Sequence, residues 1–172
     1  MQVRMTIVLT MILTVFGCAE PPPPPPPDTS VQNSALDLRL ASTPEGLQTT
    51  LNEGASLELR PTADGAEGLV WFVVSPDLHA VNLVAAVADH QTHIESLPDG
   101  AYKGSQELQG DFGVAFYSRG TFSEAEAPVE ETVIFLIHPT SNRLLEIHYR
   151  YPAADDSGAR VEQLIAVLAE LE

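Results

Sequence analysis

Five histidines are the side chains of this sequence best suited to acid–base or metal chemistry: His79, His90, His93, His138 and His148. His90 and His93 belong to a segment with helical periodicity, where a spacing of three residues places both rings on one face. A metal site needs three or four converging ligands, and the zinc-protease pattern H-E-x-x-H is absent. We therefore interpret His90 and His93 as solvated helix surface. The alternative interpretation is that they are metal ligands of a metal-assisted hydrolase.

The serines and acidic pairs do not form a recognisable catalytic pattern. No G-x-S-x-G sequence is present, and Ser118, in the stretch YSRG, has no evident base beside it. Phosphate-binding patterns of the P-loop or G-x-G-x-x-G type are also absent. Asp155-Asp156 is explained as a helix start and Glu130-Glu131 as a strand edge, while the acidic stretch 123–131 lacks the ligand spacing of an EF-hand. The sequence therefore predicts no catalytic residue and no cofactor.

Acidic residues dominate the charge of the chain. The 172 residues include 24 Asp and Glu against 8 Lys and Arg, which gives a formal net charge of −16. A surface this negative repels phosphate backbones, so nucleic acid is excluded as a partner. Hydrophobic residues make up 44% of the sequence, which is enough for one packed domain of ordinary size.

The single cysteine, Cys18, stands between an apolar run and seven consecutive prolines. Residues 5–16 are uncharged and apolar, and as a helix they reach only ~18 Å, short of a ~30 Å hydrocarbon core. With Arg4 before them, they are typical of a signal peptide rather than of a membrane span. The run ends Val15-Phe16-Gly17-Cys18, which resembles the bacterial lipobox, although Phe16 departs from the small residue usual at its position.

The lipobox resemblance implies a lipoprotein of the bacterial cell envelope. Cleavage between Gly17 and Cys18 makes Cys18 the new N-terminus, with its sulfur linked to diacylglycerol and its amine acylated, for example by palmitate. Several acyl chains together give durable membrane anchoring. Ala19 follows the cysteine where an Asp implies inner-membrane retention, so the resemblance favours the outer membrane, facing the periplasm. The alternative is an ordinary secreted protein with a stray thiol.

The chain divides into three parts on this interpretation. Residues 1–17 form the signal peptide, residues 18–34 the lipidated cysteine with a proline-rich linker, and residues 35–172 a single globular domain. The seven prolines of 21–27 predict a polyproline II spacer of about 20 Å. Such a spacer holds the domain clear of the lipid headgroups.

Hydrophobic periodicity predicts a mixture of strands and helices in the globular part. We expect strands at 36–40, 57–61, 69–74, 102–109, 111–118 and 131–138, and helices at 43–54, at 77–97 and from a cap at 155–157 to the chain end. Residues 121–131 are predicted to be a mobile acidic loop.

The strongest local prediction is an antiparallel hairpin over residues 132–151, which turns at the cluster Pro139-Thr140-Ser141-Asn142. This register sets Leu136 opposite Leu145 and Ile134 opposite Ile147, so that one face is apolar. Glu146, His148 and Arg150 then lie on the other face. The same register separates His138 from His148 by ~17 Å along the strands, so the two histidines are not a pair.

These elements predict an α+β fold, α/β/α sandwich-like, with a mainly antiparallel sheet, a mid-chain helix and a C-terminal amphipathic helix packed on it. The order of TPEG at 43–46, a mid-chain helix, a strand meander and a closing amphipathic helix resembles the PsbP/Mog1-like domains. That resemblance implies a non-catalytic binding or assembly-accessory module. Besides the membrane, the expected partner is an envelope protein or a small ligand.

Overall fold

Strands make up most of the regular structure in the part of the chain that the structure describes. The computed structural model describes residues 29–64, 66–76, 81–153 and 157–172. Within them the strands are β1 (Val31–Asn33), β2 (Leu38–Leu40), β3 (Leu47–Glu53), β4 (Ser56–Pro61), β5 (Leu69–Val74), β6 (Ala101–Gly110), β7 (Gly113–Glu124), β8 (Ala127–Ile137) and β9 (Leu144–Pro152). The helices are α1 (Leu83–Ser96) and α2 (Ser157–Ala169).

Seven of the strands form one antiparallel sheet in the order β3-β4-β5-β9-β8-β7-β6, and β1 and β2 pair separately. The chain builds one half of the sheet up to β5, crosses through α1 to the opposite edge at β6, and returns strand by strand to β9. β5 pairs with β9, from Leu69 opposite Arg150 to Val74 opposite Leu145, and this pairing joins the two halves of the sheet. The sheet centre therefore brings together residues that are far apart in the sequence.

The two faces of the sheet have different chemistry because side chains alternate along each strand. One face carries the hydrophobic core, to which β9 contributes Leu145, Ile147 and Tyr149 and to which α2 adds Leu164 and Leu168. The opposite face packs against α1, which contacts mainly β6, β7 and β8. The fold is α+β as predicted, but it is dominated by its sheet and is not an α/β/α sandwich, because two short helices do not form complete layers over seven strands.

The hairpin predicted over residues 132–151 is confirmed in its register. Leu136 lies opposite Leu145, Ile134 lies opposite Ile147, and the backbone N–H of His138 donates to the carbonyl of Arg143 at 2.8 Å. The strand predicted at 69–74 is confirmed as β5, which lies inside the sheet, and the packing of α2 on the sheet is also confirmed. The cap proposed for α2 at Asp155-Asp156 lies outside the described residues.

The helix predicted over residues 43–54 is wrong, because this segment forms a turn followed by β3. The backbone N–H of Leu47 donates to the carbonyl of Pro44 at 3.1 Å, and Gly46 has a positive φ of 80°, so the turn reverses the chain instead of starting a helix. The following residues then pair with β4 across a tight hairpin. Residue types such as those of Thr43-Pro44-Glu45 are common in turns as well as at the start of helices, so the pattern does not distinguish the two.

The predicted mobile acidic loop at 121–131 is also wrong. β7 and β8 run through it as a continuous antiparallel pair, with Glu124 opposite Ala127. The turn between them consists of Ala125 and Glu126, whose φ values of 49° and 70° both lie in the left-handed region typical of a two-residue hairpin turn. Glu130 and Glu131 consequently lie inside a paired strand and are buried, not at a strand edge.

The mid-chain helix is shorter than predicted and buries a different face. α1 begins at Leu83, where the side chain of Asn82 accepts a hydrogen bond from the N–H of Ala85 at 3.0 Å, and residues 77–80 lie outside the described residues. Its buried residues are His90 and Ile94, whereas Val84 is 66% exposed. At the other end of the domain, Val31–Asn33 already pairs with β2, so folded structure extends into the segment predicted to be linker.

Candidate functional site

His90 lies in the interface between α1 and the sheet, so the interpretation of His90 as solvated helix surface is wrong. Only 6% of its surface is exposed, whereas His93, one turn further along, is exposed. The helix presents His90 to β7 and β8 because the same face carries Ile94, which is fully buried. His138 and His148 are separated as predicted, since His148 lies opposite Val133.

Ser118 has the imidazole of His90 beside it, a neighbour that the sequence did not indicate. Its Oγ lies 2.8 Å from Nδ1 of His90, and its hydroxyl donates to the phenol oxygen of Tyr102 at 3.2 Å. These residues come from β7, α1 and β6, which the crossover through α1 brings together. Ser118 is fully buried, so the side chain is a structural link under the helix and is not open to a substrate.

Glu131 is the centre of the polar cluster on the α1 face of the sheet. It is 2% exposed, and its Oε2 accepts two hydrogen bonds from Arg150, at 2.9 Å from Nε and 2.7 Å from Nη2. Its other oxygen, Oε1, lies 3.6 Å from Nε2 of His90 and 3.6 Å from Nδ1 of His148. Two imidazoles and one guanidinium thus surround a single buried carboxylate.

The charges of this cluster are set by opposing effects. Burial raises the pKa of Glu131, but His148, His90 and Arg150 lower it more strongly, so the pKa lies well below its usual range. Burial lowers the pKa of His148, but Glu131 and Glu146 outweigh burial and raise it above its usual value. Glu131 is therefore ionised at neutral pH and attracts positive charge to the space beside it.

A ring stack holds His148 in place. Its imidazole lies against Trp71 with ring centroids 4.7 Å apart and planes 13° apart, and its Nε2 donates to Oε2 of Glu146 at 3.0 Å. The guanidinium of Arg150 lies 5.4 Å from the centre of the Trp71 ring on the same sheet face. These contacts fix the side chains of His148 and Arg150 relative to Glu131.

A cavity of about 310 Å³ opens onto this cluster from the surface. Its lining includes Asp89 and His93 of α1 together with Glu131, Glu146 and His148 of the sheet. The structure thus brings His90 and His93 to the same cavity, and it also places His90 beside Glu131, which the sequence did not indicate. In the described parts of the chain, no group of three or more His, Cys, Asp or Glu side chains is arranged so that it could hold a metal ion.

Two cavities of more than 500 Å³ lie at the ends of the sheet. One, of about 510 Å³, is mainly apolar and is lined by Phe112, Leu136, Ile137 and Leu168, where α2 ends beside β8. The other, of about 540 Å³, lies between β4, β5 and β9 near Arg60. Both are open to ligands or partner side chains, and the second is also lined by charged residues, among them Arg60, Glu124 and Arg150.

Sequence reasoning missed Glu131 and Ser118, although one signal was present for Glu131. The predicted hairpin register extends to Glu131 opposite Arg150, which the structure confirms, and so it already placed a carboxylate beside a guanidinium on the face of His148. No comparable signal linked Ser118 to His90, because their contact depends on how α1 docks on β7.

Comparisons with known proteins show a similarity of fold to a solved structure and nothing more. No family model matches the chain, and no match was found among curated proteins. The fold is similar to a crystal structure of LpqN, described as involved in cell envelope biogenesis of Mycobacterium tuberculosis, with a TM-score of 0.53 and 11% sequence identity. The likeness covers 78% of this chain and 81% of that chain. No helix among the described residues is long and apolar enough to cross a membrane.

Proposed function

We propose that this chain is a bacterial envelope lipoprotein, attached to the membrane through Cys18, whose folded domain binds a partner and does not catalyse a reaction. The observation that carries the proposal is the sequence Val15-Phe16-Gly17-Cys18 at the end of a short apolar run. The thiol is the only one in the chain, and the proline tract that follows suits a spacer between membrane and domain. Attachment at Cys18 lies outside the described residues.

The likeness to LpqN supports an envelope role at a coarse level. That protein is described as involved in cell envelope biogenesis, and its fold matches most of this chain. A role in the envelope agrees with the charge of this chain, which disfavours nucleic acid. The finer proposals, an outer-membrane location facing the periplasm and a PsbP/Mog1-like domain, rest on Ala19 and on the order of elements.

A binding role is supported by the way the domain uses its reactive side chains. Ser118 is closed under α1, and Glu131 is neutralised by Arg150, so neither is poised to attack a substrate. The open cavities at the ends of the sheet are instead suited to a small ligand or to the side chains of a protein partner. An accessory subunit of an envelope assembly fits this combination.

The anchor is tested by replacing Cys18 with Ser and following the protein in membrane and soluble fractions. We expect wild-type protein in the membrane fraction and Cys18→Ser in the soluble or unprocessed fraction, because the acyl chains supply the attachment. Ala19→Ser is the matched control, since it changes the neighbouring residue and leaves the thiol in place. Identical partitioning together with masses of wild type and Cys18→Ser that differ only by the substitution, which would show that neither carries acyl chains at residue 18, would contradict the proposal.

The partner is sought by crosslinking the anchored protein in cells and identifying the attached proteins by mass spectrometry. One dominant envelope protein would support an accessory subunit. Diffuse crosslinks that follow only protein abundance would contradict a protein partner and favour a small ligand.

A second candidate is an envelope enzyme, a metal-assisted hydrolase that uses His90 and His93. The observation in its favour is that both residues line the cavity beside Glu131. Stoichiometric zinc that is lost with His93→Ala would support this candidate, and zinc binding that does not depend on His93 would contradict it.

A further inference from the structure

The apolar cavity of about 510 Å³ lies where α2, β8 and the turn between β6 and β7 meet. Leu168 of α2 and Leu136 of β8 line this cavity, and both belong to the hydrophobic core, where each is 1% exposed. Phe112 lines it from the turn, and Ile137, which is 46% exposed, stands at its rim. The cavity therefore opens to solvent at the rim and reaches the core at its floor.

The lining of the apolar cavity carries almost no charge. Of the nine described residues that form it, only Asp111 has a formal charge, and Asp111 is exposed. The volume lies within the range of about 300–1,000 Å³ that is usual for ligand sites. Gly113 keeps one side of the cavity open, because a Cβ built there would meet no atom within 4 Å beyond its chain neighbours. A ligand that fits this space is therefore mainly apolar.

An inserted peptide fits this lining poorly, because its backbone N–H and C=O groups would be buried against apolar side chains. Burial of a peptide group without a hydrogen bond costs free energy. An acyl chain has no such groups, and each of its methylenes gains free energy when it leaves water. The lining therefore favours the chain of a lipid over a segment of a protein.

The charge beside the cavity restricts the head group of such a lipid. Asp111 belongs to the lining, no Lys or Arg is among the described residues that form it, and the whole chain has a formal net charge of −16. An anionic head group at the mouth of the cavity would be repelled by these charges. An uncharged or cationic head group would not be repelled.

The cavity lies at the end of the domain from which the chain leads back toward Cys18. Leu171 lines the cavity and forms a β-bridge with Leu40 of β2, and Leu40 lies opposite Val31 of β1. Neighbouring strands are about 4.8 Å apart, so Val31 lies about 10 Å from Leu171. With attachment through Cys18, as proposed above, this end of the domain is the tethered end and lies closest to a source of lipid.

We infer that the apolar cavity binds one acyl chain of a membrane lipid whose head group is uncharged or cationic. The inference rests on the proposed function, since it gives the binding domain of an anchored envelope protein its class of ligand. Leu136, Leu168 and Phe112 contact the acyl chain, and Asp111 lies beside the head group. Val31 is 13 residues after Cys18, so the anchor keeps the cavity within roughly 45 Å of the membrane.

The test uses the full-length chain in phosphatidylcholine vesicles and a C16 monoacylglycerol with a photoreactive diazirine in its chain. After irradiation, mass spectrometry of peptides locates the attached lipid, and we expect adducts in the peptides that contain Phe112, Leu136 and Leu168. An alkyl sulfate with the same chain and diazirine is expected to give at least ~5-fold fewer adducts, because its permanent negative charge is repelled. Asp111→Asn is expected to reduce this difference between the two probes.

A substitution that fills the cavity gives the second measurement. Ala169 lines the cavity at an exposed position, so Ala169→Phe places a ring in it without disturbing the core. The ring displaces at least two methylenes of the ligand, and we expect at least ~10-fold fewer adducts in the Phe112 peptide. Ala159→Phe is the matched control, since Ala159 is exposed on the same helix about 15 Å away and is expected to leave the labelling unchanged. Circular dichroism checks the folding of each variant.

Equal labelling of the Phe112 peptide in Ala169→Phe and Ala159→Phe would overturn the inference. Labelling of Cys18→Ser but not of the wild-type chain would also overturn it, because the chain's own acyl groups would then fill the cavity. A cavity that takes no lipid probe, combined with loss of a dominant protein crosslink in Ala169→Phe, would show a protein partner instead. Labelled wild-type protein whose mass shows no acyl chains would contradict the anchor and still support the lipid site, so the two proposals fail separately.

Discussion

Ile94 of α1 lies directly over Gly120 of β7, and no side chain larger than hydrogen fits between them. A Cβ built at Gly120 would lie 2.5 Å from Cγ2 of Ile94, well inside van der Waals contact. Ile94 is fully buried at this point. The close approach sets the distance of α1 from the sheet and therefore the depth at which His90 reaches Ser118 and Glu131.

Gly120→Ala is expected to lower the free energy of unfolding by about 1–3 kcal/mol, because the added methyl group overpacks the interface. Unfolding in urea, followed by circular dichroism, measures the effect. In a double-mutant cycle, Ile94→Ala is expected to reduce the cost of Gly120→Ala, since it removes the atoms that clash. Strictly additive effects of the two substitutions would show that the contact does not limit the approach of the helix.

Ser118→Ala is expected to lower the free energy of unfolding, because we interpret Ser118 as a structural residue and not as a nucleophile. Loss of the hydroxyl leaves the N–H of His90 without an acceptor in a buried place, which costs about 1–3 kcal/mol. Ser123→Ala on the same strand is the control, because the bond of Ser123 to Asp99 is exposed and its loss is expected to change stability by about 0.5 kcal/mol or less. A fluorophosphonate probe is expected not to label Ser118 in the native protein, and labelling would contradict the closed position of its hydroxyl.

The register of the β8–β9 hairpin could be predicted because local signals agree there. A turn cluster at 139–142 and two aliphatic stripes allow one pairing, and a slip of one residue would move Leu145 and Ile147 to the polar face. The same register, continued along the two strands, also predicts that Glu131 lies opposite Arg150. This part of the candidate site was therefore accessible from the sequence alone.

The burial of His90 could not be predicted, because it depends on a contact between distant segments. Apolar residues surround α1 on several sides, and the sheet face that receives the helix is itself polar. Val84 consequently remains exposed while a histidine is buried. Likewise, residues 121–131 are too acidic to suggest a strand, and only pairing with β9 and neutralisation by Arg150 explain why Glu131 is buried there.

Arg150→Gln is expected to lower the free energy of unfolding by about 3 kcal/mol, the low end of the range for breaking a buried ion pair. Its two hydrogen bonds neutralise Glu131, which is buried, while the guanidinium itself is 33% exposed and partly screened by water. Arg39→Gln is the matched control, since Arg39 and Glu172 are 54% and 48% exposed, and we expect a loss of about 1 kcal/mol or less. Equal losses in the two variants, measured by urea unfolding, would contradict a special role for the Arg150 pair.

His138 is expected to make the fold less stable as the pH falls below about 6.5. Its ring is fully buried in the β8–β9 turn, where Nε2 donates to the carbonyl of Leu36 at 3.0 Å and Nδ1 accepts from the N–H groups of Thr140 and Ser141 at 3.3 Å each. Burial lowers the pKa of His138 below its ordinary value of 6.5, which the bond to Leu36 and the charge of Asp37 only partly oppose. A proton on Nδ1 would also displace both N–H donors.

The sign of this effect follows from which state binds the proton first. Between pH 6.5 and the lower folded pKa, the unfolded chain holds a proton on His138 that the folded chain does not, so stability rises with pH at up to ~1.4 kcal/mol per pH unit and levels off above 6.5. His138→Gln is expected to remove this slope, because the amide does not titrate and can still donate and accept. His93→Gln, at an exposed position, is expected to retain it. Urea unfolding from pH 7.5 down to 4.5 measures the difference between the variants, in which the titrations common to all of them cancel, and a slope unchanged by His138→Gln would contradict the prediction.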